Sequence, residues 1–162
     1  MKIRPLVTAD WEEVARIYQQ GIETGNATFE VDPPTWPDWD ASHLRAGRLV
    51  AEIAGEVVGW VALSPVSRRH VYRGVAEPSI YVATEARGRG VGVELMTAMV
   101  EASESAGIWM LQTAIFPENT VSISLHERFG FRVVGTRERI GKHRDRWRDT
   151  WLLERRSETV GL

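Results

Sequence analysis

Three glycines in five residues constrain this chain most. Gly88, Gly90 and Gly92, in Arg87-Gly88-Arg89-Gly90-Val91-Gly92, stand between a strand-like run from Val75 to Ala83 and a helical pattern of apolar residues at Val91, Leu95, Met99 and Ala102. A strand that breaks on glycines and restarts as a helix belongs to a mixed α/β architecture. Such a loop turns backbone amides into one concavity, and the helix dipole adds positive potential there, so phosphate is a natural guest. A plain tight turn accounts for the same glycines. The spacing excludes two familiar phosphate loops. Val93 stands where a dinucleotide-binding loop needs its third glycine, and no Lys-Ser/Thr follows as in a P-loop.

Around this loop the pattern predicts one domain over residues 1–162. Lys2 to Leu6 reads as a strand. Thr8 reads as the N-cap of a helix with inner face Trp11, Val14, Ile17 and Tyr18, ending near Gly21. Residues 22–47 read as irregular with one short helix, and 49–53 with 57–63 as a hairpin turning at Gly55-Glu56. After the glycine loop and its helix come a strand from Trp109 to Ile115 and a helix from Asn119 to Arg128 with inner residues Val121, Leu125 and Phe129. Strands from Phe131 to Arg137 and from Asp149 to Glu154 follow. The order implies a mixed sheet with antiparallel pairs at both ends.

Composition removes several function classes. Twenty Lys and Arg against twenty-two Asp and Glu give a net charge of −2, so no overall field draws the molecule to nucleic acid or an anionic membrane. Without cysteine there is no disulfide, thiolate metal site or cysteine nucleophile. His43, His70, His126 and His143 show no metal-ligand spacing, and no run approaches the roughly 20 apolar residues of a membrane span. These features predict a cytoplasmic protein without a metal. Residues 137–148 hold six Arg and Lys against Glu138 and Asp145. The segment reads as a solvated strand and turn, with anionic-ligand contact and nucleic-acid binding as rivals.

Arg87, Gly90 and Gly92 fit Arg/Gln-x-x-Gly-x-Gly/Ala and so resemble the acetyl-CoA signature of the GNAT superfamily of N-acetyltransferases. The run from Asn119 through Leu125-His126-Glu127 to Phe129-Gly130-Phe131 resembles that superfamily's second signature. Within it, the chain looks most like the phosphinothricin, methionine sulfoximine and arsinothricin N-acetyltransferases. That likeness rests on Asn26-Ala27-Thr28-Phe29-Glu30, Tyr72-Arg73, Glu77-Pro78-Ser79-Ile80-Tyr81-Val82, Leu125-His126-Glu127 and Trp147-Arg148-Asp149, and it spans residues 2–156. One departure stands out: many relatives carry Lys-x-Gly-x-Trp-x-Asp where this chain has His143-Arg144-Asp145-Arg146-Trp147-Arg148-Asp149. The resemblance implies an α/β GNAT fold of about seven strands and four helices, acetyl-CoA as cosubstrate, a small amino-acid-like acceptor and a homodimer.

Acetyl transfer to an amine needs a base, because amines titrate at about 8 to 10 and are mostly protonated at neutral pH. Glu77 is the first candidate; alternation puts it on one face with Ser79 and Tyr81, and apolar Val75 and Ile80 flank it. A solvated or arginine-paired glutamate is the alternative. By resemblance, His126 occupies the slot of a general acid for the departing thiolate; a packed helix histidine fits equally. Asn119 is implied to bind pantetheine amides, or it caps its own helix. Backbone of Tyr81 and Val82 is implied to pair with pantetheine, and Arg87, Gly88, Arg89, Gly90, Val91, Gly92 and Val93 to cradle the phosphates. Arg69 and Arg73 are the expected clamps for acceptor oxyanions, with Tyr72 beside them and Phe29 and Glu30 on the opposite wall. With no cysteine and no evident Ser–His pair, direct attack in a ternary complex is expected. A peptide N-acetyltransferase and a non-catalytic acetyl-CoA sensor are the alternatives.

Overall fold

The computed structural model describes residues 1–162. Its strands are β1 (Lys2–Pro5), β2 (Leu49–Ile53), β3 (Glu56–Pro65), β4 (Val75–Val82), β5 (Met110–Ile115), β6 (Arg132–His143) and β7 (Arg146–Arg156), and its helices α1 (Trp11–Glu23), α2 (Trp36–Ser42), α3 (Val91–Ser105) and α4 (Thr120–Arg128). The strands form one sheet in the order β1-β2-β3-β4-β5-β7-β6, antiparallel throughout except between β4 and β5. The expected GNAT fold of about seven strands and four helices is thus present. No helix is long and apolar enough to cross a membrane.

β3 explains how the layers form. Its run from Val57 to Leu63 is buried without alternation, which requires cover on both faces. Gly59 faces Val91 and Leu95 of α3, whereas the next residue, Trp60, packs on Tyr18 of α1, so the two helices lie on opposite faces. Trp39 of α2 joins Trp60 edge-on and is itself almost fully buried. Four of the seven tryptophans, at 11, 36, 39 and 60, make one cluster on the α1 side.

Several boundaries differ from the sequence expectation. Thr8 does not cap α1: Thr8–Asp10 form a 3-10 turn, and the Asp10 carboxylate accepts from the Val7 N–H at 2.9 Å and from two Arg4 nitrogens at 2.8 Å. A carboxylate gripped by a guanidinium is a firmer anchor than a threonine hydroxyl. α1 continues past Gly21 to Glu23, and Gly21 is there for space, since a Cβ would lie 2.5 Å from the Tyr81 ring. α4 buries Ile123 and His126 and leaves Val121 81% exposed, so its inner face is turned from the expected one. The basic segment is a solvated strand and turn, as the sequence indicates, but the strand is longer than expected. β6 and β7 run on to His143 and Arg146 and close on Arg144 and Asp145, both left-handed with φ of 48° and 62°.

Asp10→Ala should destabilise the fold by ~2 kcal/mol, through loss of a helix-start hydrogen bond and of the Arg4 pair. Arg4 holds the Asp10 carboxyl below the ordinary range. The stabilisation is therefore full above the unfolded-state value and fades as pH falls through the lower folded-state one. Denaturant melts at pH 7 and pH 3 should show a wild-type advantage over the variant that shrinks in acid.

Candidate active site

β4 and β5 pair only at Val75↔Met110 and Ala76↔Leu111 and then diverge. The junction is set just upstream, where the Gly74 carbonyl accepts from the Trp109 and Met110 N–H groups at 2.8 and 3.0 Å. The Trp109 ring fills the space a Gly74 side chain would need. Beyond Ala76 the edge of β4 turned toward β5 has no strand partner, and a cleft of about 1300 Å³ opens there. An unpaired strand edge offers N–H and C=O groups to an extended ligand.

Alternation along β4 divides the cleft between the two faces of the sheet. Tyr81 lies opposite Trp60 and Glu77 opposite Ser64, so Glu77, Ser79 and Tyr81 belong to the α1 face. Val82 lies opposite Gly59 on the α3 face, near Gly92 and thereby Leu125 of α4. The opening therefore joins a chamber under α1 to one between α3 and α4.

On the α3 side, the glycine loop makes a cradle. Gly88 and Gly90 are left-handed, with φ of 72° and 80°, and a Cβ at either would meet nothing within 4 Å. The N–H groups of Gly88, Arg89, Gly90, Val91 and Gly92 make no well-formed hydrogen bond to the protein. Donors left over at a helix start, around open space, suit an anion. The loop residues Arg87, Gly88, Gly90, Val91, Gly92 and Val93 line the cleft; Arg89 does not. Asn119 caps α4, accepting from the Ser122 N–H at 3.2 Å, and its Nδ2 donates to the Asn26 carbonyl at 3.1 Å. It lines the cleft, but both ends of its amide are engaged within the protein.

His126 also lines the cleft and is only 2% exposed, edge-on to Phe131. Its Nδ1 stands 2.7 Å from the Ser122 carbonyl, which can only accept, so the proton is on Nδ1. Nε2 has no partner. Burial, against the opposing pull of that carbonyl, pushes the imidazole below its ordinary range. The neutral ring thus holds a lone pair, with no proton to give, at Nε2.

On the α1 side, Glu77 is the first β4 residue beyond the last pairing with β5. It is half-buried, and desolvation lifts its carboxyl above the ordinary range, with the Arg137 charge pulling the other way. Arg137 comes from the far side of the gap, opposite Thr150 of β7, whose buried hydroxyl lines the cleft without a hydrogen-bond partner. Sequence reasoning gave no role to Arg137 or Thr150, because the signal is register across two strands. The Tyr18 and Tyr81 rings pack at a tilt with centroids 4.7 Å apart, and burial raises both phenols. Phe29 and Glu30 line this chamber, with Phe29 edge-on to Phe116. Arg69, Tyr72 and Arg73 lie on the exposed β3–β4 connection, not among the lining residues; Arg69 covers the Tyr72 ring and Arg73 the Trp109 ring.

The sequence pattern of the acetyltransferase (GNAT) family matches residues 11–131. The chain belongs to the GNAT acetyltransferase family. An L-methionine sulfoximine/L-methionine sulfone acetyltransferase of Pseudomonas aeruginosa is 30% identical over 158 residues, covering 94% of this chain and 92% of that protein. A phosphinothricin acetyltransferase of Sinorhizobium meliloti, solved in complex with acetyl-CoA, is 29% identical with a TM-score of 0.85, covering 99% and 95%. A ribosomal-protein-alanine N-acetyltransferase structure from Brucella melitensis is 29% identical with a TM-score of 0.90, covering 97% and 100%. This GNAT enzyme is an acetyl-CoA-dependent N-acetyltransferase, and its glycine cradle and free β4 edge fit a pyrophosphate followed by an extended amide chain.

Gly90→Asp puts a side chain and a negative charge into the cradle at a left-handed position. Acetyl-CoA affinity should fall at least ~100-fold, from a backbone penalty of about 1–2 kcal/mol plus charge repulsion. Titration calorimetry against the wild type measures it.

Proposed function

We propose that this acetyltransferase moves acetyl from acetyl-CoA to the α-amino group of a small amino-acid analogue, of the phosphinothricin, methionine sulfoximine or arsinothricin type, by direct attack in a ternary complex. The observation that carries the reading is Glu77: a desolvated carboxylate with raised proton affinity at the point where the sheet opens, on the chamber opposite the phosphate cradle. The names of the relatives at about 30% identity support the acceptor class.

Bound acetyl-CoA supplies the electrophilic thioester carbonyl. Glu77 takes a proton from the acceptor's ammonium, directly or through one water, and leaves a nitrogen lone pair able to attack. The backbone N–H of Val82, on the free edge of β4, donates to the oxyanion that develops, while that of Tyr81 is turned toward β3. His126 does not protonate the leaving thiolate in this mechanism, since its Nε2 carries no hydrogen. Its part is to pack the α4 wall against Phe131. Homodimerisation fits the same reading, because Val133, Val134, Ile140 and Trp147 leave apolar surface on the β6–β7 hairpin.

CoA-thiol release should be measured separately with L-phosphinothricin, L-methionine sulfoximine, arsinothricin, ordinary amino acids and a peptide amine. Turnover confined to the first three supports the reading. Turnover with the peptide alone overturns it in favour of peptide acetylation, the activity in the name of the Brucella structure.

Glu77→Gln should lower kcat with the preferred acceptor by ~10²- to 10⁴-fold while leaving acetyl-CoA affinity intact. In the wild type, activity should fall as pH drops through the raised Glu77 value. Arg137 favours the ionised carboxylate, so Arg137→Gln should move that acid limb to higher pH. A pH profile of kcat/KM for the two proteins tests the sign.

A further inference from the structure

An amino-acid acceptor brings at least one oxyanion, yet the charged side chains that line the cleft are mostly acidic. Glu30, Asp38, Glu77 and Glu118 line it, and the only Lys or Arg that does is Arg87, in the phosphate loop. The expected clamps Arg69 and Arg73 are directed onto Tyr72 and Trp109 instead. The cation for the acceptor must come from elsewhere.

Beside the cleft lies a recess of about 260 Å³, walled by residues 24–26 after α1 and by His143, Arg144, Arg146 and Arg148 at the hairpin tip. No apolar and no acidic side chain lines it. Thr24 and Asn26 line both spaces, so the two share a wall. The wall is built rather than loose. Arg148 lies 3.9 Å over the Phe116 ring, donates to the Gly25 carbonyl and Asn26 Oδ1 at 2.9 Å, and pairs with Glu118 at 3.3 Å. Arg144 donates to the Ile22 carbonyl at 3.4 Å. His143 is 4% exposed, faces the Phe29 and Phe116 rings, and has no partner at Nε2.

Charge and hydrogen bonds do not close in this recess. Glu118 balances Arg148, while Asp145 pairs with Lys142 and points away, 98% exposed. Arg146 has neither a hydrogen bond nor an ion pair, and Arg144 has no acidic partner. Asn26 Oδ1 is taken by Arg148, which leaves its Nδ2 as a free donor at the seam. Two uncompensated guanidiniums in a polar bowl suit one oxyanion with bidentate geometry.

We propose that this recess is the oxyanion subsite of the acceptor, where Arg146 and Arg144 pair with a carboxylate, phosphinate or arsinate group of the amino acid whose nitrogen is acetylated. The inference rests on the small amino-acid reading of the cleft and adds to it the residues that select for charge. The recess borders the segment that departs from the Lys-x-Gly-x-Trp-x-Asp pattern at His143 and Asp145. The chain carries arginines at 144 and 146, flanking Asp145, which stands where that pattern has its glycine.

The experiment compares two α-amino acceptors of matched size, phosphinothricin and its phosphinate methyl ester, in the wild type and in Arg146→Met, Arg146→Lys and the double variant Arg69→Met/Arg73→Met. Arg146→Met should lower the kcat/KM ratio of charged to neutral acceptor at least tenfold, through KM, and Arg146→Lys should recover part of it. An unchanged ratio in Arg146→Met, or a fall only in the Arg69/Arg73 variant, overturns the assignment. Methylphosphonate titrated by calorimetry gives a readout independent of turnover. Binding by the wild type that Arg146→Met weakens at least tenfold supports the subsite, and no binding, or equal binding, counts against it. If only a peptide amine is acetylated, the small-acceptor reading fails by itself, and the calorimetric comparison decides whether the recess takes an oxyanion.

Discussion

The shortness of the parallel pairing between β4 and β5 governs the rest of the molecule. Two residue pairs hold the strands together, anchored where the Gly74 carbonyl takes the amides of Trp109 and Met110. Twist and divergence then separate them, and every polar group of interest is arranged around that separation. A sheet hydrogen-bonded through its full width would have closed the space and satisfied the β4 edge internally. The edge is left with hydrogen-bonding groups that an extended ligand beside the strand can use, which makes the opening a candidate binding feature as well as a break in the fold.

The gap also divides the chemistry. Residues of β4 alternate, so Val82 on one face meets the α3 and α4 side while Glu77 and Tyr81 on the other meet α1. Orphan amides and glycines gather on the first side, carboxylates and aromatic rings on the second. The anionic cosubstrate and the cationic amine are thus drawn by opposite potentials toward one seam, with little room for either to occupy the other's place. The hairpin arginines beyond Asn26 add a third, positive zone at the edge of the α1 chamber.

Much of this architecture was legible because each element obeys its own local rule. The alternation of β4, the apolar spacing of α3, and the glycines at 88 and 90 each have a short-range cause, and both GNAT signatures lie in contiguous stretches. The hairpin at 137–148 was harder. All of β6 up to Arg139 is solvent-exposed on both faces, so no hydrophobic period marks how far the strand expected at Phe131 to Arg137 runs on, and its length is set by pairing with β7. The start of α1 was missed for a similar reason: the decisive partner of Asp10 is Arg4, in the preceding strand. Within the site, the sequence could name Glu77 and the loop, but the facing of Arg137 toward Glu77 and the stacking of Arg73 on Trp109 are relations between distant segments.

Arg137 lowers the proton affinity of Glu77 from outside the core. Its strand is exposed, and its charge acts on Glu77 from across an opening that water and salt can enter. At physiological ionic strength the Debye length is about 8 Å, and charges that face each other through water are screened over that distance. Mobile ions therefore share the space through which the two side chains interact. As salt concentration rises, the guanidinium loses its hold and the proton affinity of the carboxylate climbs toward the value that burial alone would set. A buried partner would have fixed that affinity once, at folding; a partner across an open gap leaves it responsive to the composition of the surrounding solution.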